Sequence, residues 1–313
     1  MRLYVLRRLL VALPSLLIAT FIVFTLPRLL PGDVVQLMLD EKAYGKDLED
    51  LRAKLGLDRP VMIQYGAWLG NVARGELGES LWTRQPVLAE LSRRLPITIT
   101  LGVMALAVSV LIGVPIGVLS AVRRDGLADF IARSGAILGL SVPGFVQAIV
   151  VILLPAIWWG WTPLVRFTAW KDDPATYVLQ FILPAMILGV ASAAAIMRLT
   201  RAQLLEVLRQ DYVRTAWAKG LRERVVVLKH SLKNALIPVV TVLGLQIAQI
   251  AGGSVVIETI FGIPGTGLFL VDAITQRDYP VIQGVNLVIV ATIVASNLVV
   301  DLLYAVLDPR IRY

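Results

Sequence analysis

Two long apolar runs with a short charged segment between them constrain this chain more than any other feature. Residues 174–197 and residues 234–257 contain no Asp, Glu, Lys or Arg. As a helix, each run is long enough to cross a hydrocarbon core of roughly 30 Å. We therefore expect two membrane-spanning helices, with the charged segment between them lying in water.

The rest of the sequence extends this pattern. Charged residues make up 17% of the chain and hydrophobic residues 57%, whereas soluble domains carry about 25% charged residues. Further uncharged runs occupy residues 9–27, 95–122, 134–165 and 279–300. The sequence predicts an all-α integral membrane bundle with six transmembrane helices. In the longest run, the aromatic residues from Trp158 onward predict that the helix ends near Trp158, at a membrane interface.

Small residues four positions apart allow helix backbones to approach closely. Gly113 with Gly117 and Gly135 with Gly139 have this spacing. Both pairs predict packed helix contacts.

The net charge of +8 is distributed unevenly along the chain. If the N-terminus is cytoplasmic, basic residues outnumber acidic ones in the cytoplasmic segments but not in the outer segments. The positive-inside rule therefore predicts an N-in, C-in orientation. Because no basic stripe with interleaved aromatic side chains is present, we expect no nucleic-acid partner. The first run lacks a small-residue cleavage site, so we expect it to be retained as a helix.

These patterns divide the chain into three parts. Residues 1–30 are expected to form an N-terminal cytoplasmic tip and the first transmembrane helix. Residues 31–94 are expected to form an extracytoplasmic segment of short helices, since Leu48, Leu51 and Leu55 have helical spacing. Residues 95–313 form a five-helix core with a cytoplasmic loop at about 199–235. The outer segment, with Tyr65, Trp68 and Trp82, has two readings: a surface cap over the bundle, or a docking surface for an external binding protein.

Motifs for catalysis are missing from the sequence. There is no G-x-x-x-x-G-K-[ST] phosphate loop, no H-E-x-x-H and no G-x-S-x-G. The chain has no cysteine and a single histidine, His230. Because His230 lacks a second His or Cys ligand, we expect it to make a contact on a helix surface and not to bind a metal. The sequence therefore predicts a protein that is not an enzyme.

The loop segment Asp211 to Gly220 has the markers of a short helix of about ten residues. Asp211 is a candidate N-cap, Lys219 is near the C-terminal end, and Gly220 can adopt the left-handed conformation that ends a helix. Tyr212, Ala216 and Lys219 fall near one face, so one side can serve the bundle and the other a cytoplasmic partner. The alternative is an ordinary interfacial amphipathic helix.

The same segment resembles a family motif. DYVRTAWAKGL (211–221), followed by KHSLKNA (229–235) and Pro238, is similar to the EAA loop of permease subunits of ATP-binding-cassette importers, in the peptide and nickel branch. In the general pattern Glu-Ala-Ala occupies the positions of Arg214, Thr215 and Ala216, and proline occupies the position of Lys233. These departures from the general pattern are usual for the peptide branch. The other segments that resemble this branch's first permease are LGLDRP (55–60), QYGAWL (64–69), GELGES (75–80), RLPITITL (94–101), IETIFGIPGTG (257–267), DAITQRDYP (272–280) and NLVVDLLYAVLDPRIRY (297–313).

The resemblance implies a complex in the bacterial cytoplasmic membrane. Its expected partners are membrane lipid, a second homologous permease subunit, two cytoplasmic ATPase subunits and an extracytoplasmic solute-binding protein. No cofactor is expected on this chain, since ATP and Mg would bind to the ATPase subunits. The cargo is expected to be a peptide or a related small solute. The residues expected to couple this chain to the ATPases are Asp211, Tyr212, Arg214, Thr215, Ala216, Lys219, Gly220, Leu221 and His230.

Polar side chains inside the apolar runs or directly after them are candidates for the transport path, because they are costly in lipid. This set comprises Gln246, Gln249, Glu258, Asn286, Asn297 and Asp301. Glu258 is a candidate gate or partner contact, while Asp301 either contacts substrate or lies at the inner interface. Two other classes stay open: an ion-coupled secondary transporter acting without ATPases, and a scaffold that anchors cytoplasmic proteins through its basic loop.

Overall fold

The computed structural model describes residues 2–25, 58–162 and 167–307. Within these ranges the chain is helical, and its only strand-like feature is an isolated bridge between Glu79 and Pro86. The predicted all-α class is confirmed. The helices are α1 Arg2–Thr25, α2 Val61–Ala73, α3 Val87–Val122, α4 Leu127–Ser141, α5 Gly144–Trp159, α6 Pro174–Val207, α7 Asp211–Ala218, α8 Glu223–Val225, a π-helical turn Val226–Ser231, α9 Leu232–Ala235, α10 Ile237–Phe261, α11 Thr266–Gln276 and α12 Tyr279–Leu307.

Three helices are each long and apolar enough to cross a membrane: α3, α6 and α12. Three pairs qualify together across a bend: α4 with α5 at 94°, residues 223–235 with the first part of α10 at 50°, and the end of α10 with α11 at 84°. Counting each bent pair as one span gives up to six spans, but this count divides α10 between two pairs, where the sequence predicts one span, and does not include α1. The first predicted span falls in α1, whose part from Leu13 to Thr25 is a shorter apolar helix.

The run at 134–165 differs from the prediction of one continuous helix. It breaks at Ser141–Pro143, where α4 ends and α5 begins. Proline disfavours the helical conformation in the residue before it, and Val142 is extended, with φ −97° and ψ 119°. The predicted end near Trp158 is confirmed, since α5 stops at Trp159 and Gly160 takes the left-handed conformation.

The packing of α3 along α6 forms the centre of the bundle. A methyl group at Gly113 would lie 2.8 Å from the carbonyl oxygen of Ala193, and one at Gly117 would lie 2.8 Å from that of Met197. This prediction of close packing is therefore confirmed. The prediction for Gly135 and Gly139 is wrong within this chain, since neither has an atom within 4 Å of the position a Cβ would take.

Helix α6 has a defined start. The Asp173 carboxylate accepts hydrogen bonds from the backbone N–H of Ala175 at 3.0 Å and from the Thr176 hydroxyl at 2.6 Å. The Thr176 hydroxyl lowers the pKa of Asp173, because the bond favours the ionised carboxylate. Pro174 occupies the first helical position, where no N–H is needed.

The segment predicted to lie outside the membrane, which we call the outer segment, contains the helix α2, while Leu48, Leu51 and Leu55 lie outside the described residues. Tyr65 and Trp68 face α1. The Tyr65 hydroxyl lies 2.9 Å from the Thr20 hydroxyl, and the Trp68 ring packs 5.6 Å from the ring of Phe24. These two aromatic side chains therefore join the outer segment to the first helix.

A second contact fastens the outer segment to the turn between α11 and α12. The Ser80 hydroxyl donates to the Asp278 carboxylate at 2.5 Å, and the Leu81 N–H donates to the same carboxylate at 3.2 Å. The Trp82 indole N–H donates to the Gln276 carbonyl at 2.8 Å. Asp278 is buried. We call Ser80, Leu81, Trp82 and Asp278 the outer clip.

Candidate functional site

The charged loop between α6 and α10 is built around helix α7. The structure gives it eight residues, Asp211–Ala218, against the ten expected. Gln210 occupies the N-cap position, so the assignment of Asp211 as N-cap is wrong. Asp211 is instead the first helical residue, where a carboxylate is favoured by the helix dipole, and it lies 3.5 Å from the Arg214 guanidinium.

The C-terminal end of α7 is fixed by backbone conformation. Gly220 has φ +75°, as predicted, and follows the C-cap residue Lys219. The Gly220 N–H donates to the Trp217 carbonyl at 2.9 Å, and the Leu221 N–H donates to the Ala216 carbonyl at 3.4 Å. This is the Schellman pattern, which gives the last helical carbonyls their hydrogen-bond partners.

One face of α7 packs inside the chain. Val213 and Ala216 are buried against Val226, with Leu221 half-buried beside them. Ala216, predicted to lie near one face with Tyr212 and Lys219, is buried beside Val213, whereas Tyr212 and Lys219 are exposed. The predicted coupling residues that remain exposed are Asp211, Tyr212, Arg214, Thr215, Lys219 and Gly220.

The return segment, residues 223–235, supplies Val226 to this packed face and makes a further contact with α7. It contains the π-helical turn Val226–Ser231, in which the buried Ser231 hydroxyl donates to the Val226 carbonyl at 3.0 Å. His230 lies in this turn and is half-buried. The Asn234 side-chain amide donates to the Tyr212 hydroxyl at 2.8 Å, which links α9 directly to α7.

The loop is seated on the ends of two long helices. Ala121 at the end of α3 and Leu204 near the end of α6 form one buried cluster with Val227 and Ala235 of the return segment. The loop therefore contacts the same two helices, α3 and α6, that pack together at the centre of the bundle.

We call Ala121, Leu204, Val227 and Ala235 the seat of α7. Next to this seat is a buried ion pair that sequence reasoning missed. Asp129 of α4 is fully buried, and Arg201 of α6 donates to both of its oxygens at 2.8 Å. The Ser120 hydroxyl and the Asp125 N–H also donate to this carboxylate, and Arg133 lies 3.4 Å away. We call Ser120, Asp129 and Arg201 the carboxylate node. The signal in the sequence was the position of Asp129, shortly after Gly126 and before an apolar stretch. Many helices begin with such an acid, so this position alone does not predict a buried ion pair.

The predicted path residues have separate partners. The Gln246 amide donates to the Ser192 carbonyl at 3.0 Å, and the Asn286 amide donates to the Ile282 carbonyl of its own helix at 2.8 Å. Glu258 is fully buried and accepts from the Gly267 N–H at 2.7 Å, at the start of α11. The side chains of Gln249 and Asp301 lie outside the described residues.

A cavity of about 190 Å³ lies among α3, α10, α11 and α12. Its walls are apolar except for the small hydroxyl side chains Thr98, Ser254, Thr266 and Thr292, and none of the predicted path residues lines it. In the described ranges no group of three His, Cys, Asp or Glu side chains is arranged to hold a metal ion.

Comparison with known proteins covers nearly the whole chain. Residues 113–313 match the family described as the inner membrane component of binding-protein-dependent transport systems, and residues 1–102 match the N-terminal region of such membrane components. A putative peptide transport system permease protein of Brucella abortus is 42% identical over 99% of this chain and 98% of its own length. The glutathione transport system permease proteins of Pectobacterium atrosepticum and Escherichia coli are 43% and 40% identical, each over 99% of both chains.

The described geometry agrees with this match. The apolar helices and bent pairs account for a multi-pass protein of the bacterial inner membrane, and the resemblance seen in the loop motif is confirmed by both matched regions. An ion-coupled secondary transporter is not favoured by the family. The chain therefore belongs to the inner membrane components of binding-protein-dependent transport systems, the permease subunits of ATP-binding-cassette importers.

Proposed function

We propose that this chain forms half of the translocation path of an importer for peptides or a related small solute such as glutathione. The other half is a second homologous permease subunit. Two cytoplasmic ATPase subunits bind ATP and Mg, and an extracytoplasmic solute-binding protein delivers the cargo. The cargo class is supported by relatives named as peptide and glutathione permeases, which are 40–43% identical over 99% of this chain.

The observation that carries the coupling role is the two-sided character of α7. Val213 and Ala216 hold the helix against its own chain, while Tyr212, Arg214 and Thr215 are exposed. Arg214 and Lys219 supply donors for carboxylates or backbone carbonyls of an ATPase. A helix fixed on one side and open on the other transmits displacement, because it does not move independently of its seat.

Movement of α7 then selects between inward-open and outward-open arrangements of the bundle. The seat formed by Ala121, Leu204, Val227 and Ala235 carries the displacement to α3 and α6. The ATPase subunits bias the equilibrium between two packed states only as far as they bind one state more tightly than the other. Within the bundle, Gln246, Gln249, Asn286, Asp301 and Glu258 are the candidate path residues.

An N-in, C-in orientation places α7 in the cytoplasm. Because the chain contains no cysteine, single-cysteine variants report topology without background labelling. In intact cells, a membrane-impermeant maleimide should label Arg74→Cys on the outer segment and leave Thr215→Cys unlabelled until the membrane is broken. The opposite pattern would invert the orientation.

The function itself is tested by reconstitution. We expect uptake of dipeptides or glutathione into proteoliposomes only when both permeases, both ATPases, the binding protein and ATP are present. Uptake by this chain alone under an ion gradient, without ATP, would support the secondary-transporter alternative. Binding of the ATPases with no solute uptake for any cargo would support the scaffold alternative.

A further inference from the structure

The carboxylate node joins three helices at one buried point. Ser120 belongs to the last turn of α3, Asp129 to the first turn of α4, and Arg201 to α6. The Arg201 guanidinium meets Asp129 with two parallel contacts of 2.8 Å, from Nε and Nη2. This bidentate geometry fixes the orientation of α6 relative to α4 more strictly than apolar packing does.

The node lies immediately beside the seat of α7. Ser120 precedes the seat residue Ala121 on α3, and Arg201 lies one helical turn before the seat residue Leu204 on α6. From Arg201, α6 continues through Leu204 to Val207, and α7 begins at Asp211. Any displacement of α7 that moves the end of α6 therefore reaches Arg201 within two turns of helix.

The apolar packing of α4 on α6 includes a small buried cluster of Ala136, Ala194 and Met197. Leu127, Phe130, Ile131 and Leu138 of α4 are each at least 60% exposed. Asp129 adds a polar, directional contact to this apolar packing. Gly126 and the left-handed Asp125 form the short turn that places Asp129 next to α6.

We propose that Asp129 and Arg201 are positioning residues for transport, which make α4 move as one body with α6 and α7. In this role the carboxylate node passes a displacement of α7 to the bent α4–α5 pair. The inference rests on the proposed docking of an ATPase at α7, and it adds a specific path by which that docking reaches a second span.

A purely stabilising role makes a different prediction, which allows the two to be separated. Removing one partner of a buried ion pair is strongly destabilising, because it leaves an uncompensated charge. Replacing both partners by apolar side chains of similar volume is often neutral for stability. The double variant Asp129→Leu with Arg201→Met should therefore regain thermal stability relative to Asp129→Leu alone. It should not regain the fixed orientation of α4 relative to α6, because the bidentate contact is absent.

The test measures the distance between nitroxide labels on Thr215→Cys of α7 and Ile131→Cys of α4, both exposed positions in a cysteine-free chain. The complete transporter is measured with and without nucleotide. With an intact node we expect one narrow distance distribution that is the same in both states. In the double variant we expect a broader distribution that changes with nucleotide, and solute uptake per ATP reduced about fivefold or more, the lower range for coupling between sites.

The matched control is Glu90→Gln, which removes a partly exposed ion pair with Arg94 at the opposite end of α3. It should leave the label distances and the uptake per ATP unchanged. The proposal is overturned if the double variant keeps the narrow distribution and full uptake, because the node would then only stabilise the fold.

Failure of the proposed docking gives a different result. In that case the label on Thr215→Cys would show no change in mobility when the ATPases are added, whichever residues occupy the node. The distance between the two labels in the permease chain alone would still report whether the node holds α4 to α7, since broadening in the double variant needs no ATPase.

Discussion

The Glu258 carboxylate accepts a hydrogen bond from the backbone N–H of Gly267 at 2.7 Å and caps the start of α11 from the preceding helix. The Leu268 N–H donates to the same oxygen at 3.2 Å. A side chain one helix away thus takes the place of an N-cap residue, because the residue at that position is Gly265, which has no side chain to offer. A methyl group at Gly265 would collide with the Glu258 carboxylate, so the glycine leaves room for this cap.

Replacing Glu258 should therefore destabilise the bend. We expect Glu258→Ala to cost about 1–3 kcal/mol, since it leaves two buried N–H groups without a partner. Glu258→Gln should cost less, because its amide oxygen still accepts from Gly267. Thermal unfolding of the purified chain in detergent measures both. The exposed Glu76→Ala is the control, and equal stability of Glu258→Ala and Glu76→Ala would contradict the capping role.

The close contact between α3 and α6 makes a second prediction. In Gly113→Ala the new methyl group meets the Ala193 carbonyl oxygen at 2.8 Å, so the helices must separate. Overpacking of this kind costs about 1–3 kcal/mol. Gly135→Ala adds the same methyl group where no atom lies within 4 Å. Detergent melts should show a loss for the first variant only, and similar melts for the two would mean that α3 and α6 are not closely packed at Gly113.

The outer clip predicts how the outer segment is protected from protease. Asp278→Ala leaves the Ser80 hydroxyl and the Leu81 N–H without their acceptor, at a cost of about 1–3 kcal/mol for each buried group. We expect trypsin to cleave after Arg84 faster in this variant than in the unaltered chain. The exposed Asp272→Ala, six residues earlier in α11, is the matched control. Equal cleavage rates in both variants would show that the clip does not hold the segment.

Substitution of Gly220 tests whether ATP-driven uptake depends on the turn that ends α7. A β-branched side chain at positive φ is strained by about 1–2 kcal/mol, so Gly220→Val should disturb the turn that ends α7 and reduce ATP-driven uptake. Membrane insertion should be intact. Gly160→Val has nearly the same backbone conformation, with φ +64°, and equally open surroundings, but lies at the end of α5. Normal uptake by Gly220→Val, or equal loss in both variants, would contradict a specific role for this turn.

Much of this fold follows from sequence periodicity and local chemistry. The apolar runs predicted the long helices because length without charge leaves few alternatives in a membrane, and Gly220 predicted the end of α7 because few other residues adopt that conformation. The structure also shows that the short motifs contact each other in pairs: GELGES contacts DAITQRDYP, and RLPITITL contacts IETIFGIPGTG. Ser80 contacts Asp278, and the Thr98 hydroxyl accepts from the Thr266 N–H at 2.8 Å.

The errors share a cause, which is that burial depends on partners distant in sequence. Ala216 was grouped with Tyr212 and Lys219 by helical spacing, whereas the structure buries it against Val226. Asp129 was counted only as a cytoplasmic charge, since nothing near it in sequence names Arg201 as its partner. For Glu258, which stays a candidate gate or partner contact, the sequence does not show that the two backbone donors offsetting the cost of its burial belong to the next helix.

Docking of an ATPase on α7 is tested most directly by cross-linking. The chain with Thr215→Cys is treated in native membranes with a bifunctional maleimide, and the adduct is identified by mass spectrometry. We predict an adduct with a protein that carries a G-x-x-x-x-G-K-[ST] phosphate loop, and none from the outer-segment variant Arg74→Cys. A phosphate-loop adduct from Arg74→Cys, with none from Thr215→Cys, would contradict the role of α7.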